Sequence, residues 1–309
     1  MPPSNSGSSS TLSDLSSQLA SAVESAGNSI IAIHARRRIP SSGIVWRDGV
    51  IVSASHTVKR DDEVPVTLPG GESTVATIVG RDSATDLIAL RVEGAKSHVA
   101  ARADAEALKV GSLVLAVGRP GRDVAASFGI VSAIGRGWRT WQGARIDRVF
   151  RLDLAVYDGF SGGPLVDASG GVLGVNNSAL GRGTPMTLPA ATVDGIVDEL
   201  LERGHVRRPF VGVAAQPIAL SASLVKQHEL AHETALLIVS VGDGSPADSA
   251  GIFVGDVLLE ANGKPLSRPT DLLDALANVP AGKPLQLKVL RGGAVKSVSV
   301  TPTDRGARQ

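Results

Sequence analysis

From residue 29 to residue 188 the apolar residues fall into short runs, many with period two, cut by Gly, Pro, Asp and Ser. Period two places alternate side chains on opposite faces of a strand. The pattern predicts strands near 29–35, 42–46, 50–55, 64–68, 74–80, 87–92, 112–118, 125–134, 147–156, 164–167, 171–177 and 184–188. With no regular helix between them, such strands favour barrels or a sandwich over a βαβ sheet, and two six-stranded barrels use them all. The period changes at both ends of this run. In TLSDLSSQLASAVESAG the residues Leu12, Leu15, Leu19, Ala22, Val23 and Ala26 recur at three- and four-residue steps. This predicts an amphipathic helix, with a Thr11–Asp14 capping box and a stop at Gly27. In 190–203, Val193, Ile196, Val197, Leu200 and Leu201 share one helical face, and Gly204 ends it. Strands near 210–214, 235–241, 257–262, 285–291 and 295–301, with one helix over 270–278, predict a small α+β module.

The chain thus divides into a leader and N-terminal helix (1–28), a mainly β unit (29–204), a linker (205–209), a second unit (210–302) and a tail (303–309). Residues 1–10 are polar and rich in Ser, Gly, Pro and Asn, which predicts disorder. The 309 residues include no cysteine, which excludes disulfides, thiolate nucleophiles and zinc ribbons. Thirty-one basic and 30 acidic residues leave a net charge of +1, so no strong field gathers nucleic acid. No apolar run approaches the ~20 residues of a membrane-spanning helix. As written, the chain shows no basic n-region before an apolar stretch, which reads as a cytoplasmic protein without a signal peptide.

Three segments carry candidate chemistry: VSASHTV around His56, SATDLIAL around Asp86 and GFSGGPLVD around Ser161. A serine hydroxyl attacks only when a base takes its proton, and an imidazole titrating near neutrality serves. A buried carboxylate holds that imidazole in the right tautomer. The order His, Asp, Ser is one of the known chain orders of this triad. Gly159 and Ser161 can aim backbone N–H groups at one point as an oxyanion hole, and Gly162 and Gly163 permit the tight turn. The rival signature is His228-Glu229-Leu230-Ala231-His232, an HExxH pattern that binds zinc when it lies on a helix. It lacks a third ligand and precedes a strand, so it reads as a surface turn, with no metal or other cofactor implied. Arg36-Arg37-Arg38 reads as an exposed face.

These motifs, with SSGIVW, AVGRPG, FGIVSAIGR and GGVLGVNNS, and with RRPFVGV and GSPADSAGIFVGDVLLEANGKPL in the second unit, resemble the HtrA/DegP serine proteases over about residues 12–302. The resemblance implies a mainly β, chymotrypsin-like double β-barrel followed by a small α+β PDZ domain. It also implies an endopeptidase of unfolded polypeptides in the cell envelope, a homotrimer, with His56 as base, Asp86 as its orienter and Ser161 as nucleophile. The family's Asn before the nucleophile is here Phe160, its Asn-Pro is Tyr157-Asp158, and its long loop near the first barrel is replaced by the short 36–42. These departures leave a second reading, a weakly active holdase or adaptor. The base of the P1 pocket falls on Ala155 and Val156, with Met186 and Leu188 on the other wall. No acid stands there, so small aliphatic P1 residues fit better than Lys or Arg. In the PDZ unit, Phe210-Val211-Gly212-Val213 matches the loop that receives a peptide C-terminus, and Leu272 and Leu276 border the groove or pack the core.

Overall fold

The computed structural model describes residues 6–94, 98–140, 144–181, 184–230, 232–280 and 282–304. The chain forms two compact units, Met1–Val206 and Arg207–Gln309.

In the first unit twelve strands form two closed barrels. The first takes β1 (Ile30–Ile33), β2 (Ser41–Arg47), β3 (Val50–Ala54), β4 (Glu63–Thr67), β5 (Ser73–Asp82) and β6 (Leu87–Arg91), in the order β1-β2-β3-β6-β5-β4. The second takes β7 (Leu113–Gly118), β8 (Ala125–Arg139), β9 (Arg145–Asp153), β10 (Pro164–Val166), β11 (Val172–Asn177) and β12 (Met186–Pro189), in the order β10-β11-β12-β9-β8-β7. Each closes on a strand that pairs on both edges. Ile33 lies opposite Ser41 of β2 and Val66 of β4, and Leu165 opposite Gly174 of β11 and Ala116 of β7.

Alternation explains why these strands read as nearly continuous apolar runs. In β3, Val50 and Val52 join one core while Ile51 joins another; in β6, Leu87 and Ala89 part from Ile88 and Leu90 in the same way. One cluster belongs to the first barrel, one to the second, and the third draws from both barrels and two helices. Helix α2 (Ala190–Arg203) buries Val193, Ile196, Val197 and Leu200 there, each contributing about 1.5–3 kcal/mol of gross burial energy. Gly204, at φ +77°, ends it by donating its N–H to the Leu200 carbonyl. The Trp46 indole donates to Asp194 of α2 at 2.7 Å.

Helix α1 spans Ser6–Gly27. It starts inside the polar leader that composition predicts to be disordered, so Thr11 is not its cap. Only the C-terminal half of its apolar face packs: Ala22 and Ala26 are buried with Leu19 and Val23 against them, whereas Leu12 is 71% exposed. A helix already nucleated by tertiary packing extends cheaply through polar residues, which composition alone does not register. Residues 1–5 and 305–309 lie outside the described residues.

The second unit carries the sheet β14 (Val213–Ala219), β15 (Thr234–Val241), β16 (Val257–Ala261), β18 (Leu285–Arg291) and β19 (Ala294–Val300) in that order, with β17 (Lys264–Pro265) beside β16. A two-stranded pair joins β13 (Pro209–Phe210) and β20 (Thr303–Asp304). Helices α3 (Ala222–Gln227), α4 (Pro246–Ser249) and α5 (Pro269–Ala277) complete it. Strand β14 runs five residues past its predicted end, through Pro217. A proline argues against a central strand, but β14 is an edge strand and tolerates it.

Candidate active site

Antiparallel pairing of β3 and β6 sets Ala54 opposite Leu87. His56, in a single 3₁₀ turn after β3, and Asp86, directly before β6, therefore become neighbours. The Asp86 carboxylate is held from three directions. Its Oδ1 accepts the His56 backbone N–H at 2.7 Å, and its Oδ2 accepts His56 Nδ1–H at 2.5 Å and the Asn177 side-chain amide at 2.7 Å. Its carbonyl accepts the Ser55 N–H at 2.8 Å. Asp86 adopts φ +56°, a conformation costly for a residue with a Cβ and sustained here by these bonds. Asn177, at the end of β11, is fully buried, and its amide oxygen accepts the N–H groups of Ala179 and Leu180.

Ser161 stands in the loop before β10. The Phe160 N–H donates to the Tyr157 carbonyl, closing a turn with Gly159 at φ +90° in its third position, which demands glycine. A Cβ on Gly159 would lie 2.7 Å from both Pro120 Cβ and the Pro40 carbonyl oxygen. The Ser42 hydroxyl donates to the Gly159 carbonyl at 2.6 Å and accepts the Arg119 N–H at 2.8 Å, which anchors the loop. The Arg119 guanidinium donates to the carbonyls of Ile30, Gly27 and Arg122, and burial lowers its pKa against the raising effect of Asp123. The N–H groups of Phe160, Gly162 and Gly163 are all bonded to backbone carbonyls, whereas those of Gly159 and Ser161 have no partner among the described residues. Phe160 is buried, edge-to-face with Tyr157, and its ring occupies the space a Cβ on Gly118 would need. Ser161 Oγ is hydrogen-bonded to Ser178 Oγ at 2.9 Å. No Ser161–His56 hydrogen bond occurs among the described residues.

A cavity of about 700 Å³ brings together His56, Ser161, Ser178, Gly159 and Val156, with Tyr157 and Asp158 beside them. Ala155, Met186 and Leu188, expected at the P1 pocket, do not line it. Met186 and Leu188 are buried in the core shared by the barrels. Asn177, Ser178, Ser42 and Arg119 were not singled out by sequence reasoning. The GVNNS segment carried the signal for the first two, a polar run at the end of an apolar strand.

In the second unit, Val211 is buried and Gly212 takes φ +86° against Ser245, leaving no room for a side chain. Their carbonyls accept from Ala247 and Gly242, while the Val211 and Gly212 N–H groups have no partner among the described residues. Phe210 lies in β13, and Val213 opens β14 beside them. Leu272 and Leu276, two of the three leucines of α5, are buried in this unit's core. The HExxH pattern does not lie on a helix. Helix α3 stops at Gln227, Glu229 takes φ +49°, and His232 Nε2 is hydrogen-bonded to the Leu259 carbonyl. Ala231 lies outside the described residues. The two histidines therefore do not occupy successive turns of one helical face, the geometry that the zinc signature needs.

The barrels, the glycine-flanked serine and the His–Asp pair define a trypsin-like peptidase fold carrying a PDZ domain. The trypsin-like peptidase domain family model matches residues 41–175, and the PDZ domain model matches 214–301. The chain belongs to the HtrA/DegP family. It is 34% identical over 288 residues to a protein of Brucella suis biovar 1 named "Probable periplasmic serine endoprotease DegP-like", covering 88% of this chain and 55% of that one. A protein of the same name from Halomonas elongata is 33% identical, covering 87% of this chain and 57% of its own length. The chain thus spans little more than half the length of these relatives. The crystal structure of a serine endoprotease from Yersinia pestis superposes with a TM-score of 0.73 at 26% identity, covering 93% of this chain and 97% of that one. An HtrA-type protease, AlgW, solved with a decapeptide, shares the fold with a TM-score of 0.70 at 23% identity, covering 93% and 98%.

Proposed function

We propose that this protein is a serine endopeptidase of HtrA type that hydrolyses unfolded polypeptides. Ser161 is the nucleophile, His56 the general base and Asp86 the group that orients it. The observation carrying the reading is the His56–Asp86 pair, 2.5 Å apart, in one cavity with Ser161 and the unpartnered N–H groups of Gly159 and Ser161. With Asp86 accepting from Nδ1, the His56 Nε2 lone pair is the proton acceptor. The Ser161 hydroxyl leaves Ser178, turns to His56 and attacks the scissile carbonyl. The oxyanion is then met by the N–H groups of Gly159 and Ser161. His56 returns the proton to the leaving amine, giving an acyl-enzyme, and then activates the water that releases it. No cofactor enters these steps. The P1 side chain, over Val156, is small and aliphatic. The Phe210–Val213 loop receives the carboxylate of a peptide C-terminus, for recruitment or regulation, as a strand added beside β14. The relatives' names support a periplasmic location, and the family supports a homotrimer.

The alternative, a holdase or adaptor with the same fold, draws on the Ser161–Ser178 bond, which holds the hydroxyl off its base. A fluorophosphonate probe separates the two. The peptidase reading expects labelling at Ser161, mapped by mass spectrometry, and casein hydrolysis that falls by about 10⁶ in Ser161→Ala. An unlabelled protein that suppresses aggregation without cleavage refutes it.

A further inference from the structure

Three cations border the cavity at Ser161: Arg36 and Arg37, from the segment between β1 and β2, and Lys59, just after the His56 turn. All three are exposed, and none has an acidic partner among the described residues. Several other cations of this unit are paired, Arg47 with Asp198, Arg102 with Asp194 and Arg148 with Glu106. Among the described residues, Asp158 is the one acid on the cavity wall. The described cavity wall thus carries three basic side chains against one acidic one.

The cations all belong to the first barrel, on the wall that carries His56. The wall opposite, Val156 to Gly159, belongs to the second barrel. Because His56 must hand its proton to the leaving amine, the leaving segment of the substrate departs along the His56 wall. We infer that this cleft selects polypeptides with acidic residues just after the scissile bond, held by Arg36, Arg37 and Lys59. The inference rests on the peptidase reading and adds a substrate class to it. Three point charges in a cleft suit a short acidic stretch of polypeptide rather than the long cationic stripe of a nucleic-acid surface.

The test uses the full chain and three fluorescence-quenched peptides. They are identical up to the scissile bond and carry Glu, Gln or Lys at the three positions after it. The expected order of kcat/KM is Glu, then Gln, then Lys, with Glu about 5–10-fold above Gln at low salt. The spread should contract at about 0.5 M salt, where screening reaches to a few ångströms. In Arg36→Gln/Arg37→Gln/Lys59→Gln the Glu-to-Gln ratio should fall to within about two-fold of unity. The ratio is internal to each protein and is insensitive to the fraction folded. Equal rates for the three wild-type peptides, or a preference that survives the triple substitution, overturns the inference and leaves the peptidase reading standing. Hydrolysis of none of the peptides, with no labelling at Ser161, removes both.

Discussion

Replacing Gly159 with alanine tests whether the loop before Ser161 is fixed in a working geometry. Two costs can be separated. At φ +90° any Cβ is strained, by about 1–2 kcal/mol. In addition, this Cβ would sit 2.7 Å from Pro120 Cβ and from the Pro40 carbonyl oxygen, inside any real contact distance. Pro40 and Pro120 adjoin Ser41 and Arg119, whose neighbours are barrel strands, so the loop must yield and carry the Gly159 N–H with it. Displacing one oxyanion donor costs about 10²–10³ in kcat. Gly111 supplies the control, with φ +92° and nothing within 4 Å of its Cβ. Gly111→Ala should lower the melting temperature by about 2–8 °C through strain alone, with kcat unchanged. Gly159→Ala should lose at least as much stability and, in addition, about two orders of magnitude in kcat on a short peptide, with a smaller change in KM. The measurements are initial-rate kinetics and calorimetry on the same preparations. Wild-type kcat in Gly159→Ala, with a melting temperature matching Gly111→Ala, would refute both the donor role and the rigidity of the Pro40–Pro120 contact.

Asn177→Ala removes one of the bonds to the Asp86 carboxylate and should lower kcat by about 10–100-fold without moving the P1 preference, read from a cleavage map. Ser178→Ala releases the Ser161 hydroxyl and should speed fluorophosphonate labelling by up to about five-fold; slower labelling would make the bond an activating one. In the second unit, burial works to raise the pKa of Asp256, but hydrogen bonds from Arg291 and the Phe253 N–H, with the Arg291 charge, outweigh it and hold the carboxyl below its usual range. The stability this supplies is present above the unfolded value near 3.9 and is lost as pH falls through the folded one, so Arg291→Met should cost about 2–3 kcal/mol at pH 7 and progressively less in acid, as seen by calorimetry. Calorimetry should also show peptides with a free, apolar C-terminus binding more tightly than their amidated forms; equal affinities would remove the role of the Val211 and Gly212 N–H groups.

Periodicity located all twelve barrel strands and α2 because each of those segments packs its apolar residues into the cores of this unit. The residues proposed as a triad stood out because each lies close to a strong apolar run. Chain order alone did not reveal what holds them. Asn177 reaches Asp86 across 91 residues, and Ser42 reaches Gly159 across 117. Such contacts depend on barrel register rather than local pattern. The start of α1, the reach of β14 past Pro217 and the burial of Met186 and Leu188 were missed for a related reason. Tertiary packing decides them against the local signal.

The two-faced strands of the first barrel have an evolutionary consequence. Val50, Ile51 and Val52, or Leu87 to Leu90, leave no outward position at which a neutral substitution is cheap, since every side chain serves one core or another. Variation is therefore pushed into the connections between strands. The segment from Ala35 to Pro40 is one of these, and it adjoins the cavity at Ser161. Lineages of this protein can exchange the charges at 36–38 at almost no cost in folding stability, and so alter the charge beside that cavity while the barrels stay fixed.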